Sequence, residues 1–460
     1  AALIFRPLWE SIHQLPRSYA IPRRSPRNTV VNVRIPNTVD ISCTSMVWVE
    51  DLQALKAPPP AIPIAVAGSL GQHHAFAPRH TGLLLTIDHD GTGPMVPVSV
   101  LEPVASRSIE PKSDGHIDVW FEGLGGVREF GANAYYYRFG RRGLLIDCGF
   151  DATRDGWLGL PALERIARVD AIVLTHAHLD HVGSLPLLLA SFPSAVVYCT
   201  RATYELLGPT LMDSAKVTRI RYEQGGESPA ITLGMVQRID KRRFRFVNFG
   251  ETVEMPAIPS LSLTFHDAGH MIGSLYVEMQ FQGMSIAHSG DINLLDLATQ
   301  TGLSLDGKTV DHLVMEGTYG SNTGFGPHQR RQQLREFEAA VAERIDAGGS
   351  ILIPAFALGR AQEFVALLSD WNRRNGRSIP IRTVGMANRV NELIRNQLTN
   401  FMPAFASEAF VDVDPLELGR GRDEEERLKL AEDTLREVAQ RGPCLIIASH
   451  GMMVEGKSSY

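Results

Sequence analysis

The stretch AIVLTHAHLDHVGSLPLLL, residues 171–189, gathers His176, His178, Asp180 and His181 into six positions. In an extended segment, residues i and i+2 share a face, so His176 and His178 can clasp one ion. Asp180 and His181, after the chain turns, can face a second. Imidazole with carboxylate suits zinc, with manganese and iron as alternatives. A structural zinc site is closed by four protein ligands, often cysteines, whereas an all-His/Asp site keeps open positions and reads as catalytic. A solvated polar turn would account for a lone histidine. An HxHxDH run directly behind an apolar strand favours a metal.

The elements that must carry these residues are strands ending in polar clusters. AIVLT is wholly apolar, as expected of a strand in a sheet covered on both faces. AYYYRFGRRGLLIDCG predicts a hairpin turning at Gly140 to Gly143, with LLID as its returning strand. LPALERIARVD has apolar positions three and four apart and predicts a short amphipathic helix. LSLTFHDAGH, SLYVEMQFQGMSIAHSGD and TVDHLVMEGTYG supply further strands. Beyond Gly326, HQRRQQLREFEAAVAERIDAGG reads as a helix stopped by glycines, followed by the strand SILIPAF and the helix GRAQEFVALLSDWNRR. Such strand–helix alternation predicts a second α/β domain with a parallel sheet.

Composition bounds the rest. At 460 residues the chain has room for two or three full-sized cores. No apolar run approaches the roughly 20 residues that span a bilayer, so no membrane partner is expected. The four cysteines lie far apart without a CxxC pair, so neither a disulfide framework nor a cysteine zinc site is indicated, and a reducing cytoplasm fits best. A net charge of −6 argues against general polyanion binding and restricts any nucleic-acid contact to a local patch. The basic runs KRRFR (Lys241 to Arg245) and RIRY (Arg219 to Tyr222) carry aromatics that could grip RNA, although a solvated basic face is the plainer reading. Residues 1–115 hold 14 of the 27 prolines and read as a small β-rich region of unknown role. There His73 and His74 are adjacent and read as a surface pair. The chain starts without methionine and stops at GKSSY, so a fragment is expected at both ends.

HxHxDH with LLIDCG upstream resembles the metallo-β-lactamase superfamily. LVMEGTYGS, GGSILIPAFALGRAQEFVALL, ASHGMMVEGKS and GLGGVREFGANAYYY resemble its β-CASP branch, which contains RNA 3′-end processing endonucleases and bacterial ribonuclease J. The resemblance covers about residues 118 to 460. It implies an αββα sandwich with an inserted β-CASP α/β domain, after the β-rich N-terminal region. The expected boundaries are 116–325 for the metallo-β-lactamase domain and 326–460 for an incomplete β-CASP domain. It implies that His176, His178 and His270 hold one zinc ion, that Asp180 and His181 hold a second, and that Asp291 bridges the two. Asp147 is then the carboxylate that orients a ligand histidine. Glu316 matches the acidic residue of the cassette's first motif, near the metals. Arg360, at a helix start, would receive a phosphate with its guanidinium fork, or else make a domain-fixing salt bridge. Cys148 is most simply a small buried filler.

The activity implied is hydrolysis of RNA phosphodiesters, with RNA as substrate and a homo-oligomer or a processing complex as further partners. The branch carries two more histidines downstream of its GMM segment, which this sequence does not reach, and His450 is promoted to neither role. The second zinc position would then lack one ligand, and the 460 residues are expected not to hold both metals tightly. Three other functions stand beside this one: a DNA-processing β-CASP nuclease, a small-molecule hydrolase, and an inactive RNA-binding subunit. The last is disfavoured by six ligand residues being present.

Overall fold

The computed structural model describes residues 119–449, apart from 128–129, 155, 306–307, 319–325, 404–405, 407, 412 and 417–423, and the backbone of five short strands between 30 and 108. The expectations for His73, His74, His450 and the GMM segment lie outside the described residues. The chain divides into two compact units, one of residues 30–326 and one that includes residues 327–460.

The larger unit is built on two sheets. The first has seven strands in the spatial order Phe244–Phe246, Val196–Cys199, Ala171–Val173, Arg142–Ile146, Ala134–Phe139, Val119–Gly125 and Arg107–Ser108. Its first four strands are mutually parallel, and the hairpin of Ala134–Phe139 with Arg142–Ile146 is antiparallel, as the sequence predicts. The second sheet has nine strands. From Thr252–Glu254 it runs through Leu261–Asp267, Leu275–Phe281 and Met284–His288 to His312–Glu316, and then into four strands from residues before 101.

Tyr135, Tyr137 and Leu144 from the first sheet, and Leu263, Phe265 and Val277 from the second, fill one continuous core. The opposite face of the seven-stranded sheet is also covered. Leu145, Ile172 and Val197 pack under Leu185 and Leu188 of the helix Leu185–Ser191, and under Leu207 and Leu211 of the helix Arg201–Glu223. Burial on both faces explains why AIV is apolar at every position. A third, smaller cluster of Ala268, Tyr276 and Ala287 lies under Ile292, Leu303 and Leu313. The unit is therefore helix, sheet, sheet and cover, the layered α/β arrangement expected.

One expected helix is not formed. LPALERIARVD contains only a three-residue 3₁₀ turn, Leu163–Arg165. Its backbone is engaged elsewhere: the Ala162 N–H donates to Leu124 O, and the Tyr136 hydroxyl donates to Arg168 O. Ile166 and Val169 still bury their side chains, so the apolar spacing served a packed loop. The 23-residue helix Arg201–Glu223 contains Pro209, which interrupts the helical pattern in its sequence.

The second unit carries a wholly parallel four-stranded sheet, in the order Ile351–Pro354, Leu445–Ala448, Ile381–Val384 and Val413–Leu416. Helices Pro327–Asp346, Arg360–Arg374 and Glu424–Gln440 accompany it, and the first two lie where the sequence places them. Among the described residues, no helix is long and apolar enough to cross a membrane.

Candidate metal centre

The register of the parallel strands sets the site. Ile146 pairs with Val173, so the chain leaves both strands at one level, at Asp147 and at Thr175–His176. Asp147 adopts φ +60°, a left-handed conformation that aspartate tolerates better than most residues. Its side chain takes three donors: the Thr175 N–H at 2.8 Å, the Thr175 hydroxyl at 2.7 Å and His181 Nδ1 at 2.7 Å. Asp147 therefore both ties the strand ends together and orients a histidine.

Four elements converge here. His176 and His178 lie on the extended segment, and Asp180 and His181 on the following short helix Leu179–Val182. His270 sits in the turn after Leu261–Asp267, and its N–H donates to Ser274 Oγ at 3.2 Å. Asp291 follows Met284–His288. All six are buried.

Ligand atoms of His176, His178, His270 and Asp291 lie within 4.8 Å of one another. His176 Nε2 is 2.9 Å from His178 Nδ1, and His270 Nε2 is 3.3 Å from that same atom. Asp291 Oδ2 faces this group, 3.8 Å from His176 Nε2 and 3.6 Å from His270 Nε2. Its other oxygen, Oδ1, lies 3.1 Å from His181 Nε2, which is 3.7 Å from Asp180 Oδ2. One carboxylate thus joins two donor groups, His176/His178/His270 and Asp180/His181.

Asn133, which carried no role in the sequence, belongs to the site. Its Nδ2 lies 3.2 Å from Asp180 Oδ2 and 2.9 Å from His181 Nε2, and its Oδ1 accepts the Tyr135 hydroxyl at 2.9 Å. Because Asp147 is an acceptor at Nδ1, His181 Nδ1 carries the proton and Nε2 presents a lone pair inward. A polar residue immediately before the apolar strand AYYYRF was the only sequence signal for it.

Glu316, half-buried at the end of its strand, accepts the Ile292 N–H at 2.7 Å and thereby holds the backbone beside Asp291. Burial, and then the charge of Asp291, push its carboxyl up to about 8. Burial also raises Asp180, with Asp291 adding to the shift, to about 7. Burial depresses His176 and His270, keeping both imidazoles neutral with lone pairs to offer. Buried carboxylates that resist ionising beside neutral imidazoles are short of positive charge, and the donor set suits a divalent cation. The residues present fit such an ion.

The remaining candidates fall elsewhere. Arg360, in the second unit, opens the helix Arg360–Arg374. Burial lowers its pKa to about 10, against the opposing charge of Glu363. The preceding turn is fixed by the Gly359 N–H, which donates to Gln362 Oε1 at 2.7 Å. In KRRFR, Arg243 donates to the carbonyls of Leu189, Phe192 and Ala195, between the end of a helix and the next strand, and Arg242 pairs with Asp240. Lys241 lies over the rings of Tyr204 and Phe246. These cations are spent on the protein itself. Cys148 is buried, as a small filler would be.

A two-sheet sandwich with a His/Asp cluster at its strand ends is the frame of a metallohydrolase. Residues 127–344 match the family model described as the metallo-beta-lactamase superfamily. A ribonuclease of Thermus thermophilus is 31% identical over 339 residues, covering 73% of this chain and 73% of that protein. The chain belongs to the metallo-β-lactamase superfamily, in its β-CASP branch. Transcription termination factor FttA of Methanocaldococcus jannaschii is 29% identical over 76% of this chain, and RNase aCSPSF2 of Saccharolobus solfataricus is 29% identical over 73%. The chain spans 54% and 62% of the lengths of those two relatives.

Proposed function

We propose that this protein is a metal-dependent ribonuclease that hydrolyses RNA phosphodiesters at a binuclear zinc site. The observation that carries the proposal is the placement of Asp291, with Oδ2 toward three histidines and Oδ1 toward His181. His176, His178, His270 and Asp291 would hold one zinc ion, and Asp180, His181 and Asp291 the other. Bound zinc supplies Lewis acidity and charge stabilisation for the attack of water on phosphorus. The chain's own residues keep this apparatus in register. Asp147 holds the Nδ1 proton of His181, so that Nε2 stays a donor of its lone pair. Asn133 fixes Asp180 against His181, and Glu316 fixes the backbone next to Asp291.

RNA as the substrate is supported by the ribonuclease relatives, and Arg360 is the proposed phosphate contact. Among the described residues four donors face the first position and three the second, so with these donors alone the second zinc is expected to bind more weakly. The test is cleavage of labelled single-stranded RNA by the zinc-loaded protein, with matched DNA in competition. Asp180→Ala should abolish cleavage while far-ultraviolet circular dichroism stays unchanged. Undiminished turnover in that variant rejects the proposal, and preferential cleavage of DNA transfers it to DNA.

A further inference from the structure

We propose that Tyr135 is a positioning residue of the metal centre, tethering the Asn133 amide that holds Asp180 and His181 together, a proposal that rests on the binuclear reading for its effect on the second ion. Asn133 Nδ2 lies 3.2 Å from Asp180 Oδ2 and 2.9 Å from His181 Nε2, so the grip of this amide depends on what fixes its other end. That end meets Tyr135. The hydroxyl donates to Asn133 Oδ1 at 2.9 Å, with Gly126 O at 3.3 Å as a second acceptor. Tyr135 and Asn133 are both fully buried. Burial, and then the charges of Asp147, Asp291 and Asp180, push the Tyr135 phenol well above its ordinary pKa, so it stays a donor.

The surrounding backbone is shaped for this contact. The Asn133 N–H donates to Asp180 O, and the Asn133 carbonyl accepts the Gly149 N–H, both at 2.8 Å. Main-chain bonds thus fix its α-carbon beside the helix Leu179–Val182 and leave the side-chain torsions for Tyr135 to settle. Gly131 and Ala132 precede it in left-handed conformations, φ +87° and +49°, the second of them costly for alanine. Such strain persists where the surroundings impose it, and it gathers at functional sites. The pairing of Val119–Gly125 with Ala134–Phe139 shifts register between Gly123 and Gly125, an irregularity of the kind that re-aims side chains. The next residue, Gly126, closes on the pair. A Cβ there would stand 1.9 Å from Asn133 Oδ1 and 2.7 Å from the Tyr135 hydroxyl. Removing the Tyr135 proton takes a donor from a buried amide oxygen and frees the side chain to leave Asp180 and His181.

Tyr137 supplies the control. It lies on the same strand, Ala134–Phe139, equally buried, and its hydroxyl is bonded to His288 Nδ1 at 2.9 Å rather than to Asn133. The experiment compares Tyr135→Phe with Tyr137→Phe in the full chain carrying isotope-labelled asparagine. In the metal-free protein, nuclear magnetic resonance follows the Asn133 side-chain amide, assigned by its loss in Asn133→Ala, and competitive chelator titration then resolves the zinc affinities. Tyr135→Phe should shift or broaden the Asn133 signals and weaken the second zinc about 10- to 100-fold, the range for losing a group that orients a ligand, with the first zinc unchanged. Tyr137→Phe should lower the melting temperature to a similar extent and move neither readout. In the wild type, a cross-relaxation peak between the Tyr135 hydroxyl proton and the Asn133 amide protons checks the tether without any substitution. Unmoved Asn133 signals in Tyr135→Phe, a missing cross-peak, or equal zinc losses in both variants overturn the positioning role. A wild type that takes up one zinc, with the Asn133 signals still displaced by Tyr135→Phe, sinks the binuclear reading alone. Two zinc ions whose affinities Tyr135→Phe leaves unchanged sink the tether alone.

Discussion

Asp291 Oδ1 lies 3.1 Å from His181 Nε2, while Oδ2 of the same carboxylate faces His176 and His270. Residues 110 positions apart in the chain are thereby joined into one donor cluster, because 181 and 291 follow strands that end at the same edge of the two sheets. Replacing Asp291 by Asn keeps the shape and removes the charge shared by both positions. Bound zinc measured by mass spectrometry should then fall at both, and RNA cleavage should be lost. Retention of a full zinc complement would show that Asp291 does not bridge.

Asp147 distributes two oxygens over three donors. An asparagine offers one oxygen, so Asp147→Asn must leave a buried donor unsatisfied or release His181. We expect a loss of about 10- to 100-fold in zinc affinity or turnover, together with a lowered melting temperature. Asn133→Ala should reduce zinc affinity within the same range and also lower the melt, since the buried Asn133 side chain bonds Asp180, His181 and the Tyr135 hydroxyl. Competitive chelator titration measures both.

Acid stability should carry the signature of His288. This histidine is fully buried, receives or gives one hydrogen bond at Nδ1 with the Tyr137 hydroxyl, and has no partner at Nε2 among the described residues. Burial, with the neighbouring His181 as a lesser cause, depresses its pKa from 6.5 to about 3. A base whose folded pKa is depressed contributes stability in full above its unfolded pKa. As pH falls from 6.5 toward 3, the unfolded chain takes up a proton that the folded chain refuses. Stability is lost there at about 1.4 kcal/mol per pH unit. His288→Gln should flatten the slope of urea-melt stability against pH by one proton in that window. An unchanged slope contradicts the assignment.

Gly149 has no room for a side chain, since a Cβ would overlap the Asp180 carbonyl. Gly149→Ala should cost about 1–3 kcal/mol, as overpacking typically does, and should displace Asp180 from its ligand position. The expected result is a lower melt and a zinc stoichiometry reduced at the second position. Arg243→Ala offers the contrast. Loss of its bonds to the carbonyls of Leu189, Phe192 and Ala195 should cost about 2 kcal/mol without altering RNA affinity, because that arginine is occupied within the fold.

What the sequence disclosed divides along physical lines. His176 and His178 were legible because a period of two on an extended segment is local information, and AIV was legible as a strand because every position is apolar. His270 and Asp291 share no local pattern with them and were reached only through resemblance to a family. Asn133 was invisible, since one asparagine at a strand start usually caps a turn, and its role depends on a partner 47 residues away. The helix expected over LPALERIARVD failed because its periodicity reflected burial of Ile166 and Val169, while tertiary hydrogen bonds claimed its backbone. Arg243 misled in another way, since a basic run says nothing about which of its charges the protein itself consumes.

The central claim is that this cluster holds two zinc ions around one aspartate. An anomalous difference map at the zinc absorption edge, from crystals grown with excess zinc, tests it directly. Two peaks are predicted, one among His176, His178 and His270 and one between Asp180 and His181, both touching Asp291. A single peak that leaves Asp180 and His181 unliganded, or none in the cluster, would contradict it.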